Sequence, residues 1–126
     1  MEEKRQAILI VDDNEINRSM LAAMLQQDYR TVEVENGQQA LDVIRQDKAS
    51  VTAVLLDIIM PKMNGHEFCR RLKADPATRD ISVIVLTASG AKDLEEKCLK
   101  LGVKEIMHKP YDSSYLLERI AFFLGE

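Results

Sequence analysis

The sequence predicts an α/β fold, a parallel five-stranded sheet with helices on both faces, built as a βα unit repeated five times. Three observations predict it. Short continuous apolar runs alternate along the chain with segments of helical periodicity. Each connection between runs is long enough for a helix, as parallel neighbours require, and right-handed crossovers are then expected. A chain of 126 residues, 46% of them hydrophobic, suits one domain with one core.

The elements follow in order. Ala7-Ile8-Leu9-Ile10-Val11 leads into Asp12 and reads as a buried strand over about 7–12. Asn14 can cap a helix whose apolar positions are Ile16, Met20, Leu21, Met24 and Leu25. Thr31-Val32-Glu33-Val34-Glu35 alternates, as an edge strand would. Gln38 to Asp47 turns Ala40, Leu41, Val43 and Ile44 toward a core. A third strand, 51–57, runs from Val51 to Asp57. Gly65 opens a helix with Phe68, Cys69 and Leu72 that stops before Asp75-Pro76. Ser82-Val83-Ile84-Val85-Leu86 is closed by Thr87. Ala91 to Leu101 carries Leu94, Cys98 and Leu101, and Gly102 suits its C-terminal cap. A weaker run, 103–108, precedes Lys109-Pro110, and Asp112 or Ser113 caps a last helix with Leu116, Leu117, Ile120, Ala121, Phe123 and Leu124. Dry inner runs with polar edge runs fit a doubly wound (βα)5 three-layer sandwich of flavodoxin-like strand order 2-1-3-4-5.

Composition narrows the function. A net charge of −4 argues against a broad nucleic-acid surface, and Arg70, Arg71 and Lys73 read as a solvated helix face. No apolar stretch approaches the roughly 20 residues of a membrane span, and no signal-peptide apolar region follows the first charges. A cytoplasmic protein without a membrane partner is expected. Cys69 and Cys98 lack CxxC or metal-ligand spacing and read as reduced, partly buried thiols. His66 and His108 read as surface or packing residues. Met20, Met24 and Met107 are expected to fill gaps in the core.

The chemistry gathers where strands end. Ligands of an open parallel sheet bind outside the carboxyl ends of its strands. Asp12, Asp13, Asp57, Thr87 and Lys109 all fall there. Nearby carboxylates repel one another unless a cation is present, and oxygen ligands suit Mg²⁺. Asp13 and Asp57 can bind the ion directly, Asp12 directly or through water, and the Ile59 backbone carbonyl is a further ligand. Three carboxylates, one Mg²⁺ and Lys109 sum to zero charge, so the site can tolerate an added phosphoryl group. Asp57 is then the in-line nucleophile, Lys109 neutralises phosphoryl oxygens, and the Thr87 hydroxyl donates to one of them. Backbone N–H groups of Ile58, Ile59 or Ala88 can complete the cradle.

These residues, with Leu56-Asp57-Ile58-Ile59-Met60-Pro61-Lys62-Met63-Asn64-Gly65, Thr87-Ala88 and Lys109-Pro110, give a clear resemblance. The chain resembles the receiver domain of two-component response regulators over essentially its whole length, 1–126. The resemblance implies phosphorylation of Asp57 by a histidine kinase or histidine phosphotransfer protein, with Mg²⁺ required. It implies signalling to a downstream effector protein or domain rather than turnover of an external substrate, and a Lys109–Pro110 peptide that is often cis. A partner face is expected on the helix after Thr87, including Lys92, Glu95, Glu96 and Lys100. The chain is expected to be one domain without its own effector, either free-standing or taken from a larger protein such as a hybrid histidine kinase.

Two positions depart from the family pattern. Ile106 stands where an aromatic residue usually swings as a switch, so displacement of the Thr87–Gly90 loop and the next helix is expected to carry the signal. Ile59 and Ser89 flank the usual route of attacking water, and apolar Ile59 predicts slow loss of the phosphoryl group. Two other functions fit less well. A haloacid-dehalogenase-like phosphatase needs a second acid at Ile59. Flavin or nucleotide binding needs a phosphate loop where Asp12-Asp13-Asn14-Glu15 stands.

Overall fold

The computed structural model describes residues 6–46, 51–57, 63–88 and 92–125. Its elements are β1 (Ala7–Val11), α1 (Glu15–Leu25), β2 (Arg30–Val34), α2 (Gly37–Gln46), β3 (Val51–Leu56), α3 (Gly65–Ala74), β4 (Ser82–Thr87), α4 (Lys92–Lys100), β5 (Glu105–His108) and α5 (Ser113–Phe123). All strand pairs are parallel and the order is β2-β1-β3-β4-β5, as the alternation of strands and helices predicts.

Successive strand residues point to opposite faces, so each inner strand feeds two cores. Leu9, Val11, Val54, Leu56, Val83 and Val85 pack with Ala40, Leu41, Ile44, Phe68, Leu72 and Cys98 from α2, α3 and α4. Ile8, Ile10, Leu55, Ile84, Leu86 and Met107 pack with Leu21, Leu25, Leu116 and Ile120 from α1 and α5. The three layers of the sandwich are therefore α1/α5, sheet, and α2/α3/α4.

Local chemistry sets the helix ends. The Oδ1 atoms of Asn14, Asn36, Asn64 and Asp112 each accept backbone N–H groups at the first turn of α1, α2, α3 and α5. Gly102, just past α4, has φ +96°, a backbone conformation that favours glycine. Gly37 serves a different need. A Cβ there would stand 3.0 Å from the Met63 sulfur and 3.2 Å from its Cβ, so the bare backbone makes room for Met63.

The structure corrects several expectations. Met20, expected to fill a gap in the core, is 66% exposed, and Ile16, another apolar position of α1, is 70% exposed. The buried line of α1 is Arg18, Leu21 and Leu25 instead. Met20 thus fills no gap, whereas Met107 does. The fifth strand begins at Glu105 and not at Val103, whose N–H is spent on the Cys98 carbonyl at the end of α4; Lys104 already reaches β4, its N–H donating to the Val83 carbonyl. Lys73 is not simply solvated. It is half-buried, donates to the carbonyls of Arg79 and Ile81, and burial pulls its amine below the usual lysine range. Arg70 and Arg71 are exposed and both pair with Glu67. Cys69 and Cys98 are free and wholly buried rather than partly so. Hydrogen bonding with Cys98, followed by burial, pushes the Cys69 thiol well above its ordinary value. No helix among the described residues is long and apolar enough to cross a membrane.

Candidate functional site

Register brings the acids to one level. Val11 pairs with Val34 on one side and Leu56 on the other. Asp12 and Asp57 each lie one residue beyond, and the ladder continues through them. The Asp12 N–H donates to the Val34 carbonyl at 3.2 Å, and the Asp57 N–H donates to the Val11 carbonyl at 3.0 Å. Carboxylate oxygens of Asp12, Asp13 and Asp57 lie within 4.8 Å of one another. The donor set is all oxygen, which fits a hard divalent cation and not a soft one.

The other strand ends add a hydroxyl and an amine. Thr87 is the last residue of β4 and is buried; its partner across the ladder is His108. The next residue, Lys109, donates its N–H to the Thr87 carbonyl at 2.9 Å. Its Nζ reaches Asp12 Oδ2 at 3.5 Å. The Lys109–Pro110 peptide is cis, as the resemblance implied. The side chain of Lys109 is one-quarter exposed, at 24%, against 5% for Asp12, so this pair is only partly screened by water.

Asp12 is tightly held. Its Oδ1 accepts the Asn14 N–H at 2.9 Å, and Oδ2 accepts from the Asn17 side chain at 3.4 Å as well as from Lys109. Asp13 is exposed and Asp57 half-buried. A cleft of about 260 Å³ opens over the site, lined by Asp12, Asp57 and Lys109 together with Met20, Pro110 and Tyr111. Burial, then the charge of Asp12, push the Tyr111 hydroxyl above the usual tyrosine range.

The structure thus gathers Asp12, Asp13, Asp57 and Lys109, with Thr87 beside Lys109 on the neighbouring strand. Ile58, Ile59, Ser89 and Gly90 lie outside the described residues, including the expected carbonyl ligand of Ile59. Of the helix expected to meet a partner, Lys92, Glu96 and Lys100 are exposed, while Glu95 is occupied by the His108 ring at 3.0 Å. Arg18 was not anticipated from the sequence. It is a buried arginine whose Nη1 donates to the Asp12 carbonyl at 2.8 Å.

Known proteins match this arrangement throughout. The model of the response regulator receiver domain matches residues 8–121. The chain is 40% identical over 114 residues to the phosphate regulon transcriptional regulatory protein PhoB of Pseudomonas aeruginosa, covering 90% of this chain and 49% of that protein. It is 32% identical over 121 residues to the polar-differentiation response regulator DivK of Brucella anthropi, covering 95% of this chain and 97% of DivK. The chain therefore spans about half the length of PhoB and nearly all of DivK. A solved receiver domain of a sensor histidine kinase from Pseudomonas aeruginosa superposes with a TM-score of 0.82 at 30% identity, covering 97% of this chain and 99% of that one. That structure carries a magnesium ion in its active-site cleft. Strand order, acids level across β1 and β3, a lysine before a cis proline and a match over 8–121 agree: this chain belongs to the response regulator receiver domain family.

Proposed function

We propose that the chain accepts a phosphoryl group from a phosphohistidine onto Asp57 and passes the change in state to a partner. The observation that carries this reading is the convergence of three carboxylates and Lys109 at adjacent strand ends in a receiver-family chain. An Asp57 carboxylate oxygen attacks phosphorus, the new P–O bond forms as the P–N bond breaks, and the imidazole leaves with its electron pair. Lys109 holds its ammonium against Asp12, where it can move to an equatorial phosphoryl oxygen. Thr87 offers a hydroxyl from the end of β4. Asp12, Asp13 and Asp57 are the ligands proposed for Mg²⁺, with the Ile59 carbonyl. The ion, when bound, neutralises developing charge on the phosphoryl oxygens.

The donor is a histidine kinase or phosphotransfer protein. Exposed Met20 on the cleft wall, with exposed Ile16 four residues before it on α1, is its proposed apolar seat. The proposed module turns over no external substrate, and the reading holds for a free-standing cytoplasmic regulator and for a receiver within a longer chain. Intact mass after incubation with acetyl phosphate and Mg²⁺, run beside Asp57→Asn, tests it. A labile phosphoryl adduct on the wild type alone is expected. No adduct, with acetyl phosphate or with a phosphohistidine donor, would overturn it.

The outgoing signal is proposed to travel through the segment after Thr87 and α4. Ile106 is half-buried and packs against the α2/α3/α4 core, and it carries no ring to swing. Amide exchange in α4 is expected to change when beryllofluoride occupies the site; identical exchange with and without it would refute this route.

A further inference from the structure

We propose that Arg18 is a positioning residue for the acidic cluster: through the Asp12 carbonyl it fixes the Asp12–Asp13 peptide, and so holds the exposed Asp13 carboxylate level with Asp57. The proposal rests on reading the cluster as a cation site.

Arginine is rarely buried unless paired. Arg18 is 9% exposed and its guanidinium has two anchors on different elements. Nη1 donates to the Asp12 carbonyl at 2.8 Å, and Nε faces Glu33 Oε1 of β2 at 3.5 Å. Glu33 thereby orients the fork that grips Asp12. The rigid, planar guanidinium can serve two separated acceptors at once, which a lysine ammonium on a flexible stem does less well.

Both peptide groups that flank the Asp12 Cα are then held. The one before it donates its N–H to the Val34 carbonyl, and the one after it gives its carbonyl to Arg18. The second peptide leads directly into Asp13, so rotation of its plane would swing the Asp13 side chain. The two acids differ in what else restrains them. The Asp12 carboxylate is tied to Asn14, Asn17 and Lys109, whereas Asp13 is exposed. Loss of Arg18 should therefore fall mainly on Asp13. The guanidinium also places a positive charge behind the cluster, at a backbone carbonyl rather than at the carboxylates. That charge, offset in part by Glu33 at 3.5 Å, works against a cation at the cluster, so a loss of affinity on Arg18→Gln reads orientation and not charge.

The test is Mg²⁺ affinity of the whole chain by calorimetric titration, for wild type, Arg18→Lys, Arg18→Gln, Glu33→Gln, Asp13→Asn and the Arg18→Gln/Asp13→Asn pair. Thermal unfolding in chelator and the rate of adduct formation from acetyl phosphate across Mg²⁺ concentrations accompany it. Groups that orient metal ligands from behind are typically worth 10–100-fold in affinity, so Arg18→Gln is expected to weaken Mg²⁺ binding about tenfold. The rate at saturating Mg²⁺ should stay near that of wild type. Arg18→Lys should recover part of the loss, and Glu33→Gln should show a smaller loss in the same direction. Arg18→Gln should add little once Asp13 is neutral, because both act on one ligand. Unchanged affinity in a folded Arg18→Gln or, where that variant does not fold, in both Arg18→Lys and Glu33→Gln, would overturn the proposal and leave Arg18 a purely structural tie. A wild-type chain that binds no Mg²⁺ would overturn the cation site itself, and is told apart from failure of Arg18 alone by that one titration.

Discussion

Helices α1 and α3 each follow a strand that delivers acid to the site, and each opens on an asparagine whose Oδ1 accepts an N–H three residues on at 2.9 Å. From that shared start they diverge. α3 lies between α2 and α4 and buries Phe68, Cys69 and Leu72 completely. α1 buries Leu21 and Leu25 but leaves Ile16 and Met20 exposed and encloses an arginine instead. Residue composition does not separate a helix that packs from one that presents a surface. The number of flanking layers does: α3 has neighbours on both sides, and the outer edge of α1 borders the cleft.

The contrast can be broken by mutation. Phe68→Ala removes a ring with no exposure and is expected to cost about 3–5 kcal/mol in chemical unfolding. A loss close to that of a surface site would mean that α3 is not the packed member of the pair. The two caps should be equivalent, with Asn14→Ala and Asn64→Ala each costing about 1 kcal/mol by the same measurement. A much larger loss for Asn14 would show that the start of α1 is stabilised through the acids as well as the cap. Ile16→Ala and Met20→Ala should each stay within about 0.5 kcal/mol of wild type. Their effect should appear as slower transfer from a phosphohistidine protein, with the rate from acetyl phosphate unchanged. Equal slowing with both donors would remove the docking role.

The smallest effect sharpens the comparison at the ends of the two helices. Arg70, and then Arg71, hold the Glu67 carboxyl at about 2, down from 4.5. A depressed carboxyl contributes stability that is full above the unfolded value and is lost as pH falls. The contribution of this exposed pair should therefore fade between about pH 4.5 and 2. A carbon-detected titration of Glu67 with its midpoint near 4.5 would show that the arginine contacts do not persist in solution.

Most of the architecture was legible because a parallel sheet buried on both faces writes itself as unbroken apolar runs. The acids were legible because they sit one or two residues past those runs. Helix orientation was harder to read. Ile16, Met20, Leu21, Met24 and Leu25 spread around about half of α1, wider than the stripe that packs on β1 and β2, so Leu21 and Leu25 are buried and Ile16 and Met20 are left exposed. Arg18 was missed for a related reason. A charged residue in a helix reads as solvated, and its closer partner is a backbone carbonyl, which no side-chain pattern reveals. Asn36-Gly37 was the available sign that α2 begins before Gln38, since asparagine favours the cap.

The close seat of Met63 on Gly37 has a consequence for inheritance. The two positions are 26 residues apart in sequence, yet the space at one is defined by the other. An alanine at 37 is disfavoured while methionine stands at 63; a shorter side chain there removes the sulfur contact and leaves only the 3.2 Å approach to its Cβ, which a small backbone shift relieves. Neither substitution has a fixed cost of its own, so the order in which the two arise decides which histories are open. Related chains that carry a side chain at the first position are expected to have drawn back at the second.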